Sequence, residues 1–208
     1  MKIINASYEI VGMIDPILML NNIERFGRVC YKSEANITND SACAFVSRII
    51  KSGHESVIEH EKITVKFICD RGVSHEIVRH RIASYSQEST RYCNYAKDKF
   101  GKELTFIKPI YWSEGTREYS IWLESMRQAE QHYIEMISMN VPPEQARAIL
   151  PNSLKTEVIV TMNLREWRHF FKLRTSNKAH PQMREITRPL LIHLKSILPV
   201  VFDDISFD

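Results

Sequence analysis

The pattern of apolar and polar residues predicts that the chain begins with a strand followed by two helices. Residues 2–8 are rich in β-prone side chains, which favours a strand. Pro16 then opens a run in which apolar residues recur at helical spacing as far as Val29, as in an amphipathic helix. Capping residues at 39–41 predict the start of a second helix, and Gly53 stands where that helix should stop.

The next segment predicts a strand and a helix that leads to a group of cations. From 62 to 69, apolar and polar residues alternate as in a half-buried strand. Residues 70–72 predict a turn that closes this strand. A helix that starts near Val73 should then carry residues 79–81, Arg-His-Arg, at its far end.

The second half of the chain is predicted to be mostly helical. Residues 119–139 have apolar side chains at helical spacing. Pro142 and Pro143 should end that helix and start a short one that contains Arg147. Residues 156–162 predict another strand.

Two further helices are expected near the carboxyl terminus. Asn163 should cap the first, and Glu166 at its third position should reach back to complete a capping box. That helix should run to about Arg174. His180 and Pro181 begin the last helix, which extends through Leu198.

The mixture of elements predicts an α/β fold of the mixed α+β type, because helices and strands do not alternate as in a doubly wound sheet. The 208 residues are enough for one hydrophobic core and too few for two ordinary domains. We therefore expect a single domain over residues 1–208.

Composition narrows the classes of function. The 28 basic residues are nearly balanced by 25 acidic ones, so a general nucleic-acid binder is not expected. No apolar run approaches the roughly 18 to 20 residues of a membrane span, and no signal peptide is apparent. The four cysteines form no CxxC pair, which argues against a zinc knuckle or a disulfide framework and favours the cytoplasm.

The spacing of the glycines excludes the usual phosphate-binding loops. The six glycines never lie close enough to form a dinucleotide fingerprint or a P-loop. Arginine is the natural substitute, because its planar fork matches a phosphate. Seven arginines occupy segments that could converge on one anion site, namely Arg79, Arg81, Arg91, Arg147, Arg165, Arg168 and Arg174.

The densest polar segment is RHRIASYSQESTRY, residues 79–92. In isolation it could be a solvated helix end followed by a polar loop. It nevertheless resembles the signature of flavin-dependent thymidylate synthases, in which RHR is followed by seven residues and a serine, here Ser89. The resemblance extends to GHESVIEH at 53–60, DRGVSHEIVRHR at 70–81 and the long stretch at 146–186.

This resemblance implies a mixed α/β homotetramer in which FAD and dUMP lie at subunit interfaces. It implies reductive methylation of dUMP to dTMP, with methylenetetrahydrofolate as the one-carbon donor, NADPH as the reductant and no cysteine nucleophile. The matching positions give the FAD contacts as Ser56, Arg79, His80, Arg81, Gln87, Asn163, Arg165 and His169. They give the dUMP contacts as Glu76, Arg79, Gln87, Glu88, Ser89, Thr90, Arg91, Arg147 and Arg174. Arg174 is the candidate catalytic residue.

Several residues allow a functional and a structural interpretation. His54 could contact the folate or the flavin ring, or could be a polar residue after a helix stop. A zinc-peptidase HExxH motif needs a histidine at Ile58, and His60 comes two residues too late, so no metal is expected. Cys93 could be a nucleophile, but packing is the preferred interpretation. The aromatic residues Trp167, Phe170 and Phe171 are expected in the core.

Two rival functions remain open from the sequence. One is a nucleic-acid-binding module that uses the same arginines on backbone phosphates. The other is a flavoprotein of the same fold that acts on a different pyrimidine.

Overall fold

The computed structural model describes residues 1–207, and the chain divides into two compact units. The first unit comprises Met1–Ser7, Phe67–Arg79 and Ser86–Val158, and the second comprises Tyr8–Lys66, His80–Tyr85 and Ile159–Asp208. The expectation of a single domain stays a prediction. Among residues 1–207, no helix has both the length and the apolar composition needed to cross a membrane.

The strands form two sheets. They are β1 (Lys2–Ile4), β2 (Ser7–Val11), β3 (Lys62–Asp70), β4 (Ala83–Gln87), β5 (Thr105–Ile107) and β6 (Lys155–Asn163). β1 pairs with β5 in parallel, with Lys2 opposite Thr105, and the other sheet has the order β2-β3-β6-β4. The strand predicted at 62–69 is confirmed, and its apolar residues from Ile63 to Cys69 alternate into the interior.

Helices account for most of the remaining chain. They are α1 (Pro16–Tyr31), α2 (Ser41–Lys51), α3 (Arg71–Ile77), α4 (Arg117–Ser138), α5 (Pro143–Ala146), α6 (Leu164–Arg174), α7 (Pro181–Ile197) and α8 (Pro199–Phe202). Short 3-10 helices occupy Glu34–Asn36, Glu55–His60, Asp98–Phe100 and Arg147–Ile149. The mixed α/β fold expected from the sequence is confirmed.

The helix that leads to the Arg-His-Arg segment differs from its prediction at both ends. It begins at Arg71 rather than near Val73, because the Asp70 carboxylate accepts a hydrogen bond from the Val73 N–H at 2.7 Å and caps it. It ends at Ile77, since the Arg79 N–H donates to the Glu76 carbonyl, three residues earlier, and not to the carbonyl four residues earlier as in an α-helix. The Arg-His-Arg segment therefore follows the helix rather than closing it.

Three other predictions need correction. The polar segment at 79–92, for which a helix end followed by a loop was the structural alternative, contains strand β4, which pairs with β6. The first predicted strand is two strands, because β1 joins one sheet and β2 joins the other. Arg147 lies in a 3-10 turn after α5 instead of inside it.

Each unit has its own apolar core. In the first unit, Trp122 and Met126 of α4 pack with Phe106 of β5 and other buried residues. In the second unit, Trp167 and Phe171 stack with ring centroids 5.5 Å apart and are fully buried, as expected from the sequence. Because this core lies on one face of α6, the opposite face is available for function.

Arg168 fixes α6 to two other segments of the second unit. Its buried guanidinium contacts Glu55 at 3.1 Å, Asp204 at 2.6 Å and the Val201 carbonyl. These contacts hold the 3-10 helix Glu55–His60 and the carboxyl-terminal turn against α6. Arg168 was one of the arginines expected to converge on an anion site. In the structure its guanidinium instead forms these buried contacts within the second unit.

Candidate active site

A cleft of about 430 Å³ lies beside the first turns of α6, within the second unit. This volume falls in the range of pockets that hold small-molecule ligands, about 300 to 1,000 Å³. The cleft contains the predicted cofactor residues Asn163, Arg165 and His169. The remaining lining residues are Glu55, Glu59, Ile82, Glu166 and Lys172.

The sequence of α6 explains how these side chains reach the cleft. Asn163 ends β6, and its side-chain oxygen accepts a hydrogen bond from the Glu166 N–H at 2.8 Å, which caps the helix. Arg165 and His169 are four residues apart, so they lie on one exposed face of the helix. The buried aromatic residues occupy the other face and keep this face in place.

The charges of the cleft suit an anionic group. Two of its three carboxylates form ion pairs, Glu59 with Arg165 at 2.6 Å and Glu55 with Arg168 at 3.1 Å, and the third, Glu166, is hydrogen bonded to His80 at 3.1 Å. Glu55 and Glu59 therefore oppose an anion less than unpaired charges would. The Arg165 guanidinium and the Lys172 ammonium can contribute attraction, and exposed Ile82 offers an apolar contact for a ring.

A chain of hydrogen bonds passes through His80. Arg174 Nε donates to His80 Nε2 at 3.1 Å, and His80 Nδ1 lies 3.1 Å from Glu166 Oε1. Because an arginine nitrogen can only donate, His80 Nε2 must accept, and the ring proton must lie on Nδ1, where it is donated to Glu166. His80 is consequently a neutral imidazole with a defined tautomer.

The surroundings of His80 favour this neutral form. Burial, the Arg174 guanidinium and His169 together lower the pKa of His80 to about 4. Burial raises the pKa of Glu166. The positive charge near the ring therefore resides on Arg174 and is not shared with His80.

His80, Glu166 and His169 also have the composition of a metal site. Their potential ligand atoms lie within 4.8 Å of one another. A metal ligand must offer an unshared electron pair, but both His80 nitrogens already take part in hydrogen bonds, to Glu166 and to Arg174. Metal binding through His80 would have to break one of these bonds.

The predicted capping box is half right. Asn163 caps α6 as expected, but the Glu166 carboxylate does not supply the reciprocal bond. It turns to His80 because the buried imidazole N–H needs an acceptor.

In the first unit, the predicted substrate residues form a second group. Thr90 Oγ1 lies 3.5 Å from Arg147 Nη1, and Ser89 Oγ accepts from the Arg91 N–H at 3.3 Å. Arg91 also pairs with Glu144 at 3.2 Å in an exposed contact. The two exposed arginines and the adjacent hydroxyls are the donors that a phosphate monoester would use.

Two predicted substrate residues have their side chains engaged within the same unit. Gln87 Nε2 donates to Ser74 Oγ at 3.0 Å and to Thr156 Oγ1 at 3.2 Å. Glu88 accepts from Tyr95 OH and from Lys155 Nζ, each at 2.9 Å. These bonds fix the segment that carries Ser89 and Arg91.

The remaining predicted residues have the following positions. Arg79 and Arg81 are exposed just after α3, and Glu76 is half-buried within that helix. Ser56 is exposed in the 3-10 helix between the cleft residues Glu55 and Glu59.

His54 does not line the α6 cleft. It lies in a separate depression of about 280 Å³ with Arg28, Phe45 and Arg48, and its Nδ1 is 3.0 Å from Tyr31 OH. The proposed folate or flavin contact of His54 stays a prediction.

Cys93 is half-buried and packs against the core of the first unit. This position fits the structural interpretation. Cys30, Cys43, Cys69 and Cys93 all lie within the described residues, and all are free thiols.

Five residues of the cleft were not predicted as site residues from the sequence. They are Glu55, Glu59, Ile82, Glu166 and Lys172. One signal was available, because Glu166 precedes His169 by three residues and Lys172 follows it by three, so the three share a helical face.

Comparisons with known proteins identify the family. The family model described as "Thymidylate synthase complementing protein" matches residues 19–200. The flavin-dependent thymidylate synthase of Geobacter sulfurreducens is 35% identical over 184 residues, which is 85% of this chain and 78% of that protein. The enzyme of the same name from Pyrococcus furiosus is 38% identical over 170 residues, covering 81% and 69%.

A solved structure supports the fold. The crystal structure of a UMP/dUMP methylase from Streptomyces cacaoi, bound with 5-Br dUMP, superposes with a TM-score of 0.78. The match covers 98% of this chain and 96% of that chain, at 20% sequence identity. With the sequence matches over most of its length, the chain belongs to the flavin-dependent thymidylate synthase family.

Proposed function

We propose that this protein catalyses the reductive methylation of dUMP to dTMP, with methylenetetrahydrofolate as the one-carbon donor, NADPH as the reductant and FAD as the bound cofactor. The observation that carries the proposal is the bond between Arg174 and His80 of the Arg-His-Arg segment. It joins the candidate catalytic residue to the motif that is specific to the family. Family membership supports the same reaction.

The α6 cleft is our proposed site for part of the FAD. Arg165 and Lys172 can neutralise an anionic group, Asn163 and His169 can donate or accept hydrogen bonds, and Ile82 can cover a ring. We assign Ser56, Arg79, His80, Arg81 and Gln87 to the same cofactor from their motif positions. Bound FAD, once reduced, supplies the hydride that completes the methyl group.

We assign the phosphate of dUMP to the group formed by Ser89, Thr90, Arg91 and Arg147. Glu88, which precedes Ser89, is fixed by bonds from Tyr95 and Lys155 to its carboxylate. A charge-assisted hydrogen bond from arginine contributes about 1.5 to 3 kcal/mol. The phosphate would have to displace Glu144 from Arg91 or share the guanidinium with it.

Arg174 is our proposed catalytic residue. Uracil is a poor carbon nucleophile, so its 5-position reacts only when negative charge on the ring is stabilised. The Arg174 side chain is half-buried at the end of a packed helix, and its carbonyl accepts a hydrogen bond from Thr187 Oγ1 at 2.9 Å. A fixed guanidinium placed where negative charge develops is an effective electrostatic catalyst.

We further propose a cytoplasmic homotetramer in which each FAD and dUMP site is shared between subunits. The free cysteine thiols fit a reducing compartment. The substrates in this proposal are dUMP, the folate and NADPH, and no nucleic acid takes part.

The test is NADPH oxidation by the purified protein in the presence and absence of dUMP, followed at saturating FAD and methylenetetrahydrofolate. We expect oxidation that yields dTMP when dUMP is present. Stimulation by another pyrimidine nucleotide and not by dUMP would identify the rival substrate class. A colourless protein that binds oligonucleotides in a salt-dependent manner would contradict the enzymatic proposal.

A further inference from the structure

Three side chains of the second unit form a continuous polar connection. Glu166 lies in the first turn of α6, and Arg174 is the last residue of the same helix, about 12 Å further along its axis at 1.5 Å per residue. The His80 ring bridges them and hydrogen bonds to Glu166 through Nδ1 and to Arg174 through Nε2, each at 3.1 Å. No role other than helix capping was expected for Glu166.

Glu166 and Arg174 both favour the same direction for this connection. A carboxylate only accepts hydrogen bonds, so it keeps the His80 proton on Nδ1 and leaves Nε2 as an acceptor for Arg174. With the other tautomer, an N–H of His80 would face the N–H of Arg174 Nε. Two donors cannot bond each other, so the Arg174 side chain would have to move.

The surrounding structure holds His80 from several sides. Its ring packs edge-on against fully buried Phe170, with centroids 4.9 Å apart. Tyr85 OH donates to the His80 carbonyl. The ring thus has little freedom to turn, and its bond with Arg174 Nε contributes to the orientation of the guanidinium.

We propose that Glu166 and His80 are positioning residues that aim the Arg174 guanidinium at the uracil ring. This inference rests on the proposed function, because it needs Arg174 to act on dUMP. Neither Glu166 nor the His80 ring needs to touch the reacting atoms for this role. An aspartate or glutamate that orients a histidine, which in turn orients a reactive group, is a known device in enzymes.

The first experiment compares Glu166→Leu with Glu166→Gln, each assayed for kcat, for the KM of dUMP and for FAD affinity. We expect Glu166→Leu to lower kcat by about 10- to 100-fold, the usual effect of removing an orienting partner, with smaller changes in KM and FAD affinity. We expect Glu166→Gln to recover most of the activity, because its amide oxygen can still accept from Nδ1. An unchanged kcat in Glu166→Leu would overturn the proposal.

Glu24→Leu is the matched control. Glu24 is another buried carboxylate of the second unit, bonded to Arg28 at 2.7 Å and to Ser41 at 2.8 Å, and it does not line the α6 cleft. Both leucine variants should melt at a lower temperature, but only Glu166→Leu should lose kcat. An equal loss of kcat in the two variants would mean that general destabilisation explains the effect, which would contradict a positioning role.

A double-variant cycle tests whether Glu166 acts through Arg174. In the Arg174→Ala background, Glu166→Leu should reduce kcat no further, because the residue that it positions is absent. If instead the two losses multiply, Glu166 acts independently of Arg174 and the proposal is wrong.

Nitrogen-15 NMR of the His80 ring gives a readout that does not depend on activity. We expect the Nδ1–H tautomer in the wild-type protein and a mixture of tautomers in Glu166→Leu. A wild-type ring protonated on Nε2 would overturn the proposal even if the protein makes dTMP. If the protein makes no dTMP but shows the expected tautomers, the proposed function fails while the hydrogen-bonded connection stands.

Discussion

At the scale of single residues, Arg174 occupies a position that matches the family, and its side chain is hydrogen bonded to His80. We predict that Arg174→Ala lowers dTMP turnover by about 100- to 1,000-fold and leaves FAD binding intact, because one preorganised charge-stabilising group is lost. Arg174→Lys should also be impaired, since a lysine ammonium cannot reproduce the planar bond from Nε to His80. Steady-state kinetics on protein with normal flavin content checks this.

A helix-end arginine can also be merely structural, with a stabilising effect of about 0.3 to 1 kcal/mol. If Arg174→Ala forms dTMP at nearly the wild-type rate and only melts slightly earlier, this structural interpretation holds and the catalytic assignment is wrong.

Cys93 offers a contrasting prediction. It packs against the core of the first unit, and the proposed reaction needs no thiolate adduct with uracil. We expect Cys93→Ser to retain most of its dTMP synthesis. Loss of activity in a folded variant with normal FAD content would favour a cysteine mechanism instead.

The buried imidazole of His80 predicts a dependence of stability on pH. Its pKa in the folded protein is about 4, below the value of about 6.5 for an unperturbed histidine, so the unfolded chain takes up the proton first as pH falls. The contribution of His80 to stability should therefore be lost between about pH 6.5 and 4, by about 3 kcal/mol in total, and should not change further below about pH 4.

Chemical denaturation at several pH values checks this prediction. The slope of the free energy of unfolding between about pH 4 and 7, a range that spans the folded and unfolded pKa values of about 4 and 6.5, should be shallower in His80→Gln than in wild type. His132→Gln, which changes an exposed histidine of α4, should keep the wild-type slope. Identical slopes in all three proteins would contradict a neutral, buried His80.

The arginines and the Arg-His-Arg motif could be recognised from the sequence, but their arrangement in space could not. The bond between His80 and Glu166 joins residues 86 positions apart, and no local pattern reports such a contact. Glu166 also fits the local sequence pattern of a capping box, so its bond to His80 was not expected. Arg168 was misjudged because its burial depends on Glu55 and Asp204, which are distant in sequence.

At the scale of elements, the position of α6 depends on Arg168. Breaking a buried ion pair costs about 3 to 5 kcal/mol because uncompensated charges are left behind. We predict that Arg168→Met lowers the free energy of unfolding by about 3 kcal/mol or more and weakens FAD binding, since Glu55 lines the cleft. Arg127→Met is the control, because the exposed pair of Arg127 with Glu124 should contribute less than about 1 kcal/mol. Equal stability losses in the two variants would contradict the structural role of Arg168.

The predicted elements were most reliable where one face is apolar. α1, α4, α6 and β3 have strong periodicity, and the structure confirms them. Strand β4 lacks this signal because Ser84, Ser86 and Gln87 are polar, and it owes its conformation to pairing in the sheet. The start of α3 was missed because Asp70 serves both as the last residue of β3 and as a helix cap.

At the scale of the whole molecule, the sequence predicted the fold class and, through the motif, the family. The cleft could not be outlined in advance, because its walls come from the 3-10 helix Glu55–His60, the segment at Ile82 and α6. The division into two compact units was also beyond sequence patterns, since each unit is assembled from three separate segments.

We expect the protein to make dTMP from dUMP in a flavin-dependent manner. The most direct measurement is dTMP formation, resolved by chromatography, in a complete mixture of protein, FAD, NADPH, methylenetetrahydrofolate and dUMP. It is compared with mixtures that each lack one component, after removal of copurified flavin. We predict dTMP in the complete mixture only. Formation of dTMP without flavin, or no dTMP in the complete mixture from folded and FAD-loaded protein, would contradict this expectation.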